Sequence, residues 1–424
     1  MRGSDIAQRR TATFGRQGFW DGVARRQVFR LLERLQYGRL VIHEADGETF
    51  EFGQAMADSA VIAHWYVEHP SVYGRVALDG SVGAGETYMA GHWHSPDLVK
   101  LVRLFALNLA LINAFERVSP ALSGLARRVG HGLRRNTRRR ARDNIRAHYD
   151  LSNDFFALFL DPSMMYSAAI YPGEQATLEE AAVYKIRHIC ERLDLQPGDH
   201  LLEIGTGWGA LAVYAAQHYG CRVTTTTLSA EQYRLACARV AAAGLGDRVE
   251  VLQRDYRELA GSYDKLVSVE MIEAVGHQYY AEYFRRCSDL LKPDGLMLIQ
   301  AITIPDQRYQ QALGSVDFIQ KYIFPGGCLP SLAVIAGHVA SDTDLQIVGL
   351  EDITGHYART LQHWRERFLQ REEQVRALGF DDAFVRMWEF YLAYCEGGFL
   401  ERSIGTAQIL MAKPRRCQLP AVAH

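Results

Sequence analysis

The chain has 424 residues, 48% hydrophobic and 23% charged, with a formal net charge of −2. That composition excludes a disordered or fibrous protein, and the length exceeds what one compact core ordinarily holds, so two domains are expected. No run of about 18 apolar residues occurs, which excludes a bilayer-spanning helix, and the polar start Met1-Arg2-Gly3-Ser4-Asp5 lacks the apolar centre of a secretory signal.

The first 120 residues mix short β-type runs at 40–43 and 49–52 with a helical stretch at 96–115. In that stretch Leu98, Leu101, Val102, Phe105, Leu109 and Ile112 recur near the 3.6-residue period of a helix with one buried face. Between them, Gly85 and Gly91 bracket a mixed aromatic and polar segment that runs on to Trp93. The whole reads as a smaller N-terminal α/β or α+β domain (1–120). A linker (121–146) follows. Residues 127–142 hold eight arginines (Arg127, Arg128, Arg134, Arg135, Arg138, Arg139, Arg140 and Arg142) and no acidic residue. Three readings stay open for that stripe: a solvated linker, a phosphate-binding surface for nucleic acid, or a dock for anionic lipid headgroups.

From residue 147 strands and helices alternate. Strand-like runs at 201–204, 222–227, 249–252, 265–269 and 295–300 are separated by helical stretches, beginning with 210–219. Ser229 and Gln232 have capping-box spacing and mark another helix start. This alternation predicts an α/β fold with a doubly wound, mostly parallel sheet over 147–413, followed by a tail (414–424). Such sheets bind ligands at the carboxyl ends of their strands. Seven cysteines (Cys190, Cys221, Cys237, Cys287, Cys328, Cys395 and Cys417) are scattered, odd in number and without a CxxC pair. They point away from a disulfide framework or a thiolate zinc site and toward a cytoplasmic setting. His92, His94, His277 and His356 share no ligand spacing, so no metal is expected.

The most informative local motif is Glu203-Ile204-Gly205-Thr206-Gly207-Trp208-Gly209, set between a strand and a helix. Glycines there let the backbone turn tightly and approach a ligand. A dinucleotide is one candidate, but the spacing is GxGxG with Ala210 and Leu211 following. The second strand also ends in Thr224–Thr227 rather than in the acidic residue that grips a ribose. S-adenosylmethionine, which has no pyrophosphate, fits better.

Several further segments recur together: His148-Tyr149-Asp150-Leu151-Ser152-Asn153-Asp154-Phe155-Phe156, Leu160-Asp161-Pro162, Tyr166-Ser167, Thr227-Leu228-Ser229-Ala230-Glu231-Gln232, and Lys321-Tyr322-Ile323-Phe324-Pro325-Gly326-Gly327. With the glycine loop, they resemble the cyclopropane fatty acid synthase family, including the mycolic acid cyclopropane synthases, over residues 148–412. The segment 85–91 is similar to the extra domain of the phospholipid-acting bacterial members. The resemblance implies a Rossmann-like class I methyltransferase with S-adenosylmethionine against Tyr166, Ser167, Gly205, Gly207, Thr227, Leu228 and Gln232. Tyr256 would lie along the adenine, with Asp255 and Arg257 beside it.

It also implies methyl transfer to the double bond of an unsaturated fatty acyl chain of a phospholipid. Positive charge then develops on the chain, and loss of a proton from the new methyl closes a cyclopropane. The implied base is a bicarbonate held by a Cys, a Glu, a His, a Tyr and a backbone group. Here the Glu maps to Glu273, the backbone group to Ile302 and the Tyr to Tyr357, while the Cys is replaced by Ala168 and the His by Gln300. Those two replacements remove a thiol and an imidazole, which puts bicarbonate binding in doubt. They also open a second ending: hydride shift before proton loss, giving a methylene-branched chain. The implied setting is cytoplasmic and peripheral on the inner membrane face, at an anionic surface, with a homodimer possible in such relatives and no nucleic acid. The competing readings are a small-molecule methyltransferase, an RNA methyltransferase using the arginine stripe, and a lipid-binding paralogue without turnover.

Overall fold

The computed structural model describes residues 21–54, 61–109 and 152–419. The arginine stripe, the linker at 121–146 and residues 148–151 lie outside the described residues. Two compact units emerge. The first gathers the described residues up to 109 together with Val316–Lys321 and Gly379–Glu401; the second takes the remainder. Residues 316–321 and 379–401, inside the span 147–413 expected for the second domain, group with the first unit.

The first unit contains β1 (Gly38–Glu44), β2 (Thr49–Gln54), β3 (Ile62–Val67), helix α1 (Ser71–Met89), β4 (Trp93–His94) and helix α2 (Leu98–Leu107). Its four strands are ordered β2-β1-β3-β4, with β1 and β3 parallel and the outer pairings antiparallel. Along β3 the residues Ala63, Trp65 and Val67 are buried and alternate with partly exposed neighbours, the two-residue period of a sheet with one covered face. The helix Asp382–Leu400 completes this core. Its Phe390 ring lies 5.7 Å from Tyr88 and 6.2 Å from Trp93, and Tyr88 donates to Glu389 at 2.6 Å. A run of aromatic residues with one apolar face announces a buried helix, but not which partner will cover it.

In the second unit, helix α3 (Leu178–Arg192) opens with a reciprocal capping box between Thr177 and Glu180. There follow β5 (His200–Ile204), α4 (Ala210–Tyr219), β6 (Arg222–Thr226), α5 (Ala230–Ala242), β7 (Val249–Leu252), β8 (Tyr263–Val269), α6 (Tyr280–Leu290), β9 (Leu291–Thr303), α7 (Leu332–Asp342), β10 (Gln346–Asp352), α8 (Thr354–Gln370) and β11 (Gly405–Ala412). The sheet order is β10-β11-β9-β8-β5-β6-β7. The pairings from β9 to β7 are parallel, and β11 runs antiparallel to both neighbours. Alternate residues feed two apolar layers. Leu201, Val223, Val267 and Leu298 face the layer with α3 and α4, while Leu202, Leu266, Met297 and Ile299 face the layer with α6 and α7. The fold is therefore the doubly wound, mostly parallel α/β architecture read from the sequence. Strand order reverses at β5, whose neighbours are β6 and β8, so the crevice at those carboxyl ends is where a ligand belongs.

Candidate functional site

A cavity opens at that crevice. It is lined by Tyr166 and Ser167 before α3, by the loop 203–208 after β5, by Thr226, Thr227, Leu228 and Gln232 after β6, by Arg254 and Tyr256, and by Val269, Glu270 and Met271 after β8. Gly205 and Gly207 have φ of 99° and 51°. A Cβ on Gly207 would meet nothing within 4 Å, so the loop presents open backbone to the cavity. Trp208 donates to the Asn153 side chain at 2.7 Å, and Arg239 binds the carbonyls of Pro162, Ser163 and Trp208. These bonds tie the 152–166 segment to the glycine loop.

Eight of the nine residues assigned to the cofactor line this cavity: Tyr166, Ser167, Gly205, Gly207, Thr227, Leu228, Gln232 and Tyr256. Thr227 donates to Gln232 at 2.8 Å, and Ser229 caps α5 by accepting from the Gln232 backbone. The Gln232 side chain thus turns toward Thr227 instead of closing a capping box. Asp255 does not line the cavity. Its carboxylate is gripped at two points by Arg257, at 2.8 and 2.7 Å, and caps the turn that carries Tyr256. An open glycine cradle, an aromatic face and a polar Thr–Gln pair suit S-adenosylmethionine.

The catalytic assignments resolve differently. Gln300, Tyr357 and the Ala168 backbone converge on a carboxylate that the sequence reading left out, Glu270. Its Oε1 accepts from Ala168 N and from Gln300 Nε2, both at 2.8 Å, and its Oε2 accepts from the Tyr357 hydroxyl at 2.8 Å. Strand register explains the meeting: Gln300 on β9 sits opposite Val269 on β8 and Gln408 on β11. Gln408 donates to Gln300 Oε1 at 3.0 Å, which turns the Gln300 amide nitrogen toward Glu270. Glu270 itself has φ of 48°, a left-handed conformation uncommon outside glycine. Ile302 pairs instead with Glu273, its N–H donating to Oε1 at 2.5 Å, while Glu273 Oε2 is buried without a partner among the described residues. A positive φ at a non-glycine residue is not readable from sequence, and a Glu just past a strand looks solvated; nothing in the sequence separated Glu270 from a surface carboxylate.

Electrostatics divides the two carboxyls. Burial raises both. Glu270 is offset by Gln300, Ala168, the Lys185 cation and Tyr357, all of which favour its charged form. Glu273 has the added repulsion of Glu270 and is pushed up to about 8, so it is mostly protonated at neutral pH. Lys185 is itself lowered to about 8 by burial and donates to Ser167 at 2.7 Å. Glu203 accepts from Thr225 at 2.6 Å and is raised to about 7 by burial. Overhead, Tyr166 packs 5.2 Å from Trp364 and 6.4 Å from Phe324, and Tyr357 lies 6.2 Å from Trp364. The donors assigned to a bound bicarbonate are therefore spent: Gln300 and Tyr357 on Glu270, joined there by the Ala168 backbone, and Ile302 on Glu273. The residues present do not fit a separate bicarbonate.

The comparisons with known proteins agree with this architecture. A family model described as mycolic acid cyclopropane synthetase matches residues 136–409. The chain is 44% identical over 336 residues to a tuberculostearic acid methyltransferase of Mycobacterium tuberculosis, covering 77% of each chain. It is 36% identical over 348 residues to the cyclopropane-fatty-acyl-phospholipid synthase of Escherichia coli K12, covering 82% of this chain and 87% of that one. Among solved structures, a mycolic acid cyclopropane synthase complexed with SAH and CTAB superposes with a TM-score of 0.61 at 32% identity, over 64% of this chain and 98% of the other.

Proposed function

Because the chain belongs to the mycolic acid cyclopropane synthetase family, S-adenosylmethionine-dependent methyltransferases of lipid acyl chains, we propose that it methylates the double bond of an unsaturated fatty acyl chain carried by a phospholipid. One observation carries this reading: a single cavity joins the glycine cradle to an enclosed carboxylate, Glu270, with Glu273 behind it and an aromatic wall of Tyr166, Trp364 and Phe324 nearby. An alkene has no proton to lose before attack, so the base is needed only afterwards, and aromatic faces stabilise the cation in between. S-adenosylmethionine supplies the methyl group. The alkene π pair forms the new C–C bond, the S–C pair stays on sulfur, and the positive charge passes from the sulfonium to the neighbouring chain carbon.

Two endings are open to that cation, and ring closure to a cyclopropane is the one implied by the family as a whole. The arrangement here favours the other. Ala168, Gln300 and Tyr357 already pin this carboxylate in place, so it takes a proton only from a methyl brought to Oε2. The cation then persists long enough for a hydride shift, and a methylene-branched chain results. The higher identity to a tuberculostearic acid methyltransferase than to a cyclopropane-fatty-acyl-phospholipid synthase supports the same ending.

We further infer peripheral docking on anionic membrane through the arginine stripe; no helix among the described residues is long and apolar enough to cross a membrane. Changing Arg138, Arg139 and Arg140 to Glu should reduce sedimentation with phosphatidylglycerol vesicles, and unchanged sedimentation would refute the docking. The function itself is tested by incubating the protein with labelled S-adenosylmethionine and unsaturated phospholipid vesicles, then reading products by mass spectrometry and proton NMR. Vinylidene protons support the branched ending, and upfield ring protons would replace it with cyclopropanation. Absence of any lipid product, with cofactor bound, overturns the lipid reading and turns attention to RNA.

A further inference from the structure

Glu270 is the feature that the assigned roles leave unexplained. It lies on the cavity wall at the carboxyl end of β8, between Val269 and Met271. Three donors from three separate parts of the chain point at it, and a fully buried lysine, Lys185, adds its field. Its Oε1 takes two of those donors, whereas Oε2 takes Tyr357 alone among the described residues. The backbone is held left-handed to put the side chain there, and such conformations persist where the surroundings over-determine them, commonly at functional sites. A solvated or merely structural carboxylate would need neither the conformation nor the Gln408–Gln300 relay that aims an amide at it.

We propose that Glu270 is the built-in base of the reaction, its carboxylate receiving the final proton so that no exogenous anion is required. This rests on the lipid-methylating reading given above. A C–H bond of the transferred methyl breaks. Its electron pair forms the exocyclic double bond after hydride shift, or the third ring bond without it. The proton goes to Glu270 Oε2, which has a lone pair to spare, and reaches solvent when product leaves. Glu273, already holding a proton beside it, does not compete for this one.

The test uses the full-length protein, labelled S-adenosylmethionine and unsaturated phospholipid vesicles. In buffer stripped of carbon dioxide, the wild-type rate should stay within about twofold of the rate with added bicarbonate. Glu270→Ala should lower it by roughly a hundredfold or more, the usual share of general-base catalysis. Formate, acetate and bicarbonate should each restore part of the rate, more so for the stronger base, a dependence that a merely structural role would not produce. A wild-type rate that collapses without bicarbonate and returns with it overturns the proposal, and that arm needs no variant to fold. So does a Glu270→Ala rate within threefold of wild type. If the wild type methylates lipid only with bicarbonate, the lipid reading stands and Glu270 alone fails. If it methylates no lipid at all, both fall.

Discussion

Replacing Glu273 by Gln should change how stability depends on pH, by an amount the structure sets. Burial and the Glu270 charge lift the Glu273 carboxyl to about 8, against an ordinary value of 4.5. The folded state therefore keeps a proton that the unfolded state releases above about 4.5, and wild-type stability falls as pH rises from there until it levels off past 8. With one pKa unit equal to about 1.4 kcal/mol, this cost is about 1 kcal/mol at pH 5 and about 3 kcal/mol at pH 7. Gln has no proton to lose, so its stability lacks that slope. Its Nε2 would occupy the place of the unpartnered Oε2 at a fixed cost that does not vary with pH. The stability of the variant relative to wild type should therefore improve by about 2 kcal/mol between pH 5 and pH 7. Urea denaturation of both proteins at pH 5, 6 and 7 measures this. Parallel curves, with a difference unchanged across that range, would show that Glu273 is ionised in the folded protein and that the division of roles between the two carboxyls is wrong.

Other substitutions probe separate parts of the site. Gly205→Ala places a side chain on a backbone with φ of 99°, a strain of about 1–3 kcal/mol; calorimetry should show at least about tenfold weaker S-adenosylmethionine binding, and unchanged affinity would remove the cradle argument. Tyr357→Phe deletes the donor to Glu270 Oε2, so kcat for lipid methylation should fall by about tenfold or more while cofactor affinity stays within about twofold. A loss confined to cofactor binding would put Tyr357 elsewhere in the mechanism. Arg239→Ala releases three carbonyls at once and should lower stability by about 2–3 kcal/mol in urea, with a smaller loss counting against its role as the tie between segment and loop.

Much of the second unit was legible because parallel strands buried on both faces read as short apolar or β-branched runs, as at Leu201, Val223 and Val267. The cofactor loop was legible because backbone conformation selects glycine, and glycine is visible in a sequence. β10 and β11 were not. Their pairing depends on residues about 60 apart meeting antiparallel, such as Asp352 with Ala407, and no local period encodes that. Glu270 escaped for the converse reason. Its conformation is imposed by tertiary donors, so its environment, not its neighbours in sequence, makes it special. Tyr357 and Gln300 were picked out as anion ligands, and they do serve an anion, but one supplied by the chain itself.

The route of the chain also constrains how the protein emerges during synthesis. The central pairings of β11 with β9 and β10 involve residues 405–412, and the first unit lacks its aromatic helix until residue 400 has been made. Neither unit is complete until residues 382–412 have been made. A stop before residue 382 would leave the sheet without β11 and would leave Tyr88 and Trp93 without the cover of Phe390. Unlike a string of domains that fold one after another, this chain commits both of its units almost together, once residue 412 has been made.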